Sequence, residues 1–211
     1  MAFVHADSCE CTKSELDLFT VPATQTSIES GTWVEYHPVS SITGNSPIEF
    51  EINGSGEDYL DFANSYLHVL AKITKPDGSD LAADSKVGPT NLFLHSLFSQ
   101  VDIALNGTQI TSSTNTYPYR AMIETLLSYG QESKETQLRA ALYVKDTAGK
   151  MDDTDAANAG LVARRTYIAQ SKIVEMMGRI HADIFFQERY MLNEVTTKIK
   201  LVRSKDAFCL Q

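Results

Sequence analysis

Basic residues are scarce in this chain. Against 27 Asp and Glu, its 211 residues include only 18 Lys and Arg, a formal net charge of −9. Non-specific affinity for nucleic acid comes mainly from Lys and Arg, so a broad phosphate-binding face is excluded. The one local basic candidate, Arg164-Arg165 with Lys172, reads as a solvated loop. Cysteine is scarcer still, with Cys9, Cys11 and Cys209 the only three. An odd number, with no basic stretch leading into an apolar run at the N-terminus, points to free thiols in a reducing compartment. Cys9-Glu-Cys11 has neither the redox C-x-x-C spacing nor a second Cys/His pair at zinc-finger distance. No stretch approaches the ~18 apolar residues of a membrane span.

Chemical signatures are missing too. There is no P-loop, no G-x-G-x-x-G and no G-x-S-x-G. The histidines His5, His37, His68, His95 and His181 form neither H-x-H nor H-E-x-x-H, so no cupin-like or zincin metal centre is signalled, and His68 and His181 read as sheet residues. Asp152-Asp-Thr-Asp155 resembles the start of a calcium loop. Counted from Asp153, however, Ala157, Asn158 and Arg164 occupy positions where an EF-hand needs a ligand, a glycine and a glutamate. It reads as an exposed acidic loop. Glu57, Asp58 and Asp61 could pair for acid–base work, but nothing nearby supplies a nucleophile, and they read as solvated positions at a strand start. No catalytic, cofactor-binding or metal-binding residue is assigned, and no cofactor is expected.

What the chain does have is clear structural punctuation. Val101, Ile103 and Leu105 alternate with Asp102 and Ala104, and Asn106-Gly107 supplies two residues that tolerate positive φ. That predicts a hairpin with a type I′ turn, Leu105 opposite Thr108 and Ile103 opposite Ile110. A helix is predicted next, with Pro118 in its first turn and Gly130 as a left-handed cap. Its stripe Tyr119, Met122, Ile123, Leu126, Leu127 is expected to be buried. Further strands are expected at 33–37, 48–52, 59–74, 173–186 and 195–202, a type I turn at Lys75-Pro-Asp-Gly78, helical spacing over 133–143 and a surface loop over 145–160. About seven strands with helices lodged in one long connection predict an all-β sandwich or barrel. Residues 1–32 read as an N-terminal arm and 33–211 as the domain, with a helical insertion over about 112–160.

Four segments carry a family resemblance. They are Leu94-His-Ser-Leu-Phe-Ser-Gln-Val-Asp102, Asn115-Thr-Tyr-Pro-Tyr-Arg-Ala-Met-Ile-Glu-Thr-Leu-Leu-Ser-Tyr-Gly130, Thr24-Gln-Thr-Ser-Ile-Glu-Ser-Gly-Thr-Trp-Val-Glu-Tyr-His-Pro38 and Gly54-Ser-Gly-Glu-Asp-Tyr-Leu-Asp61. Together they resemble the double jelly-roll major capsid proteins of Polinton (Maverick) elements and adintoviruses, over a similarity running from about Leu16 to the C-terminus. The resemblance implies a jelly-roll β-sandwich with helices in a long inter-strand loop. It also implies a structural role, as trimeric pseudo-hexameric capsomers of an icosahedral shell around a double-stranded DNA genome. Implied partners are the homotrimer, neighbouring capsomers and penton or minor capsid proteins, without specific nucleic acid or a membrane span. The implied location is the virion, after assembly in a reducing compartment such as the nucleus. Family members carry two jelly rolls in tandem and this chain has room for one, so a second roll is expected beyond residue 211. A single jelly-roll module that binds a ligand or carbohydrate is the alternative, since the same fold hosts lectins.

Overall fold

The computed structural model describes residues 26–44, 46–54 and 56–211. The chain divides into two units, Met1–Glu35 and Tyr36–Gln211. Among its described residues the second unit contains six strands: β1 (Ile48–Ile52), β2 (Leu67–Ala71), β3 (Phe98–Leu105), β4 (Thr108–Gln109), β5 (Val174–Gly178) and β6 (Thr197–Arg203). They form two antiparallel sheets, a four-stranded one ordered β1-β6-β3-β4 and a two-stranded one pairing β2 with β5.

Register explains why these segments are strands. Ile48 pairs with Leu201 and Leu201 with Val101; Phe50 pairs with Ile199 and Ile199 with Ile103; Ile52 pairs with Thr197 and Thr197 with Leu105. Three cross-strand rows therefore put β-branched and aromatic side chains on one face, the arrangement in which sheet pairs stabilise most. A slip of one residue would turn every one of them to solvent. In the second sheet Leu67, Val69 and Ala71 oppose Gly178, Met176 and Val174, while His68, Leu70, Glu175 and Met177 are exposed. The inner faces of both sheets feed one apolar core with Phe62, Phe93, Leu94, Ile180 and Phe185.

The hairpin forms as its turn residues dictate. Asn106 and Gly107 have φ of 46° and 80°, Leu105 pairs with Thr108, and the Ile110 amide donates to the Ile103 carbonyl at 2.9 Å. The return strand is only two residues long, and Ile110 is exposed. The turn at 75–78 also forms, closed by the Gly78 amide on the Lys75 carbonyl.

The helices are α1 (Phe93–Ser96), α2 (Tyr117–Ser128), α3 (Gln131–Glu135), α4 (Ala159–Ile168) and α5 (Asp206–Cys209), with 3-10 turns at Gln137–Ala141, Ala169–Ser171 and Asp183–Phe186. Among the described residues helix accounts for 26% and strand for 21%, so the fold is mixed, and the all-β expectation holds only as far as its antiparallel sheets. The helical insertion runs from Tyr117 to Ser171, further than residue 160, because α4 begins there on an Asn158 cap whose side chain accepts from the Leu161 amide. Residues 33–37 take no regular structure despite their strand composition. Residues 180, 182 and 184 are buried as expected, but so are His181 and Phe185 while Phe186 is exposed, because the chain there turns into 3-10 helix rather than continuing as a strand.

Gly130 does not cap α2. It has φ of −70° and precedes α3, so it is extended rather than left-handed. The C-terminal residues 207–211 are not an open sheet edge. They form α5, and the Gln211 and Gly88 amides donate to each other's carbonyls while Thr90 donates to Cys209.

Candidate functional site

Helix α2 is seated the opposite way from its sequence pattern. Its buried residues are Tyr117, Pro118, Ala121 and Thr125, while Tyr119, Ile123, Leu126 and Leu127 are 58, 56, 50 and 82% exposed. The expected apolar stripe thus faces outward, except for Met122, which packs against the core. An apolar row on the solvent side of a helix is the kind of patch that marks an interaction surface. Tyr119 stacks edge-on with the half-exposed Phe208 of α5 at 5.7 Å, extending the patch.

The inner side of α2 rests on a polar network instead. The Tyr117 hydroxyl lies 2.9 Å from His95 Nδ1 and accepts from the His181 amide. His181 Nδ1 lies 2.7 Å from Glu124 Oε2. Arg120 donates to Glu124 Oε1 at 2.6 Å and to Asp183 Oδ1 at 2.5 Å. The two imidazole rings meet perpendicularly, their centroids 4.6 Å apart. Both histidines are buried, and burial pushes each below the usual histidine range. For His95 the neighbouring His181 adds to the shift, and for His181 the Glu124 carboxylate opposes it without reversing it. Burial also drives the Tyr117 hydroxyl above its ordinary range.

His181 is not the sheet residue its alternating surroundings suggested. His95 is on α1 and His181 in the turn ahead of the Asp183–Phe186 helix. No local spacing joins them, since 86 residues separate the two (181 − 95). His68 does lie on a strand, on the exposed face of β2, bonded to Glu175 across the sheet at 2.8 Å.

A second buried cluster holds the insertion to the body. Arg164 is fully buried and donates to the carbonyls of Pro89 and Val144 and to Asp146 Oδ1. Asn158 joins it through the same Asp146 oxygen. Arg165 donates to the Lys86 and Thr154 carbonyls. The expected solvated basic loop is therefore a helix whose arginines are consumed internally. Cys209 is buried and its thiol is pushed up to about 11 by desolvation. Cys9, Cys11 and His5 lie outside the described residues.

The acidic candidates remain apart from both clusters. Asp61 accepts from the Asn64 amide and side chain, a local turn contact. Asp155 accepts from the Ala157 amide, and Asp153 meets Lys150. Two open recesses of about 200 Å³ each, one beside Leu81, Val87 and Ile168 and one beside Gln131 and Tyr143, are smaller than the roughly 300–1,000 Å³ of ordinary ligand pockets. No helix among the described residues is long and apolar enough to cross a membrane.

The chain is similar to "Uncharacterized protein F54H12.2" of Caenorhabditis elegans, with 25% identity over 199 residues. The match takes in 90% of this chain and 45% of that protein, so the chain spans less than half the relative's length. No family profile matches the chain. No solved structure matches it either.

Proposed function

We propose that this chain is a shell-building protein, the first roll of a double jelly-roll major capsid protein whose trimers tile an icosahedral particle. The observation that carries the reading is the nesting of strand pairs. The first strand pairs with the last, β1 with β6, and the second with the last but one, β2 with β5, in separate sheets. A jelly roll, whose chain folds back on itself and wraps across two sheets, would give this order, and that supports the reading. The six strands among the described residues fall short of the usual eight, and the helices between β4 and β5 occupy the stretch where further ones would lie. The outward apolar row of α2 adds the sort of surface that lateral packing needs, and its position in the insertion suits contacts between copies. Closed threefold packing requires a patch-to-patch interface between unlike surfaces of neighbouring copies.

The test is the assembly state. Sedimentation velocity across a concentration series, with negative-stain imaging of the heaviest species, should reveal discrete trimers. A chain that stays monomeric at every concentration and retains a glycan on an array is a binding module, and the capsid reading falls.

A further inference from the structure

From the inverted seating of α2 and the paired rings beneath it, we propose that α2 is an acid-released latch, held down at neutral pH by the uncharged His95–His181 pair and freed when that pair takes up protons. This goes beyond the shell reading and does not depend on it.

Most helices are fastened by an apolar stripe, which no proton can loosen. Helix α2 turns much of its apolar stripe outward. What it presents to the body is Tyr117, Pro118, Ala121 and Thr125, with Met122 at the margin, and the Thr125 hydroxyl has no partner. Its directional attachments are therefore the polar ones: Tyr117 to His95 and the His181 amide, Glu124 to His181, and Arg120 to Asp183. Three of these four involve one of the two histidines.

The network assigns the protons. The Tyr117 hydroxyl already accepts from the His181 amide, so its own hydrogen is free to go to His95 Nδ1, which leaves the neutral His95 proton on Nε2. His181 in turn donates from Nδ1 to the Glu124 carboxylate. A proton added at His95 Nδ1 would turn that nitrogen into a donor. The hydroxyl would then face two donors and lose the acceptor for its own hydrogen, inside a site closed to water. A proton added at His181 would place a cation beside Arg120 and Arg179, offset by Glu124 alone. Protonating both would set two cations ring against ring at 4.6 Å. Tyr117, Arg120 and Glu124 from α2, and Arg179 and Asp183 from the opposing segment, are the charged and titratable groups facing the pair. Asp183 is exposed and already engaged by Arg120, so it offers no second counter-charge.

The sign follows from the direction of the shifts. Both histidines lie below the ordinary 6.5 when α2 is docked and return to it when α2 is free. The free form therefore binds more protons as pH falls below 6.5, and docking weakens over that window. One unit below the ordinary value, each histidine that protonates only in the free form favours release by about tenfold.

Hydrogen exchange of the whole chain from pH 7 to pH 5, corrected for the intrinsic rate, tests this. Protection of residues 117–128 should fall by about tenfold or more while β1, β3 and β6 keep theirs. The double variant His95→Asn/His181→Asn keeps a polar atom near each Nδ1 position but cannot titrate, and it should hold α2 protection level over the same range. Protection of α2 that follows the sheet at every pH, or loss with the same midpoint in the variant, overturns the proposal. Should the variant not fold, the imidazole resonances of the unmodified chain decide. Rings that resist protonation until the α2 signals change support the latch, and a ring that titrates at or above 6.5 with α2 unmoved refutes it.

Discussion

Gly160 and Gly107 are both constrained, for unlike reasons. At Gly160 a Cβ would lie 2.3 Å from the Lys145 carbonyl oxygen and 2.8 Å from the Asp146 Cα, so backbone would have to move. At Gly107 a Cβ would meet nothing within 4 Å, but φ is +80°. Gly107→Val should therefore cost about 1–3 kcal/mol through backbone strain alone. Gly107→Asn should be nearly neutral, because Asn tolerates positive φ. Gly160→Ala should cost at least as much as the valine change, about 1–3 kcal/mol or more, from overpacking. Denaturant melts should rank the destabilisation Gly107→Asn below Gly107→Val and Gly107→Val at or below Gly160→Ala, and an unchanged midpoint for Gly160→Ala would mean α4 is not closely packed on residues 145–146. Arg164 makes a comparable case for a charge. Arg164→Met leaves Asp146 with its buried partner gone and two carbonyls unmet, a loss of about 3–5 kcal/mol. Arg164→Lys should rescue only part of it, since one ammonium does not reproduce the guanidinium's forked reach.

Helix α2 shows what periodicity can and cannot say about an element. Pro118 and the spacing of Tyr119 to Leu127 located it within a residue, because backbone preference and stripe are local properties. Which side is buried is not local. That was decided by Tyr117, Arg120 and Glu124 finding His95, His181 and Asp183, residues from other parts of the chain that no spacing rule connects. Helix α4 was illegible for a related reason. Its buried stripe is Gly160, Leu161, Arg164 and Ile168, and an arginine in that row disguises the apolar pattern. The strands β1, β3 and β6 were legible because each buries one face against apolar neighbours, where alternation and burial are the same signal. Alternation over 180–186 gave the burial of Ile180, Ala182 and Ile184 but missed that of His181 and Phe185 and misplaced the exposed Phe186, because 3-10 helix replaces the strand there. The exposed row on α2 yields an element-scale expectation. Ile123→Glu with Leu127→Lys creates an i,i+4 ion pair on the solvent side, so folding stability should shift by no more than about 0.5 kcal/mol. If the row packs against another copy, the same double change should sharply weaken self-association in sedimentation. Unchanged association would place the contact elsewhere.

At the scale of the whole molecule, charge separates the partner classes. Every copy carries −9, and the arginines that might have made a basic face are spent, Arg164 in the interior, Arg165 on two carbonyls and Arg120 on Glu124 and Asp183. Two such copies repel over about 10 Å at 0.1 M salt and over about 30 Å at 0.01 M. Association between copies through the apolar row of α2 should therefore strengthen as salt rises, because the ions screen the repulsion and leave the apolar contact untouched. Binding to duplex DNA would run the other way, since it draws its free energy from counterions released by Lys and Arg and weakens with every increment of salt. Light scattering of the chain and anisotropy of a labelled duplex, each followed from low to high salt, read the two slopes side by side. The expected result is scattering that grows with salt, together with no micromolar DNA affinity near physiological ionic strength. DNA binding that is tight at low salt and fades as salt is raised, with scattering flat throughout, would replace the shell reading with a nucleic-acid partner.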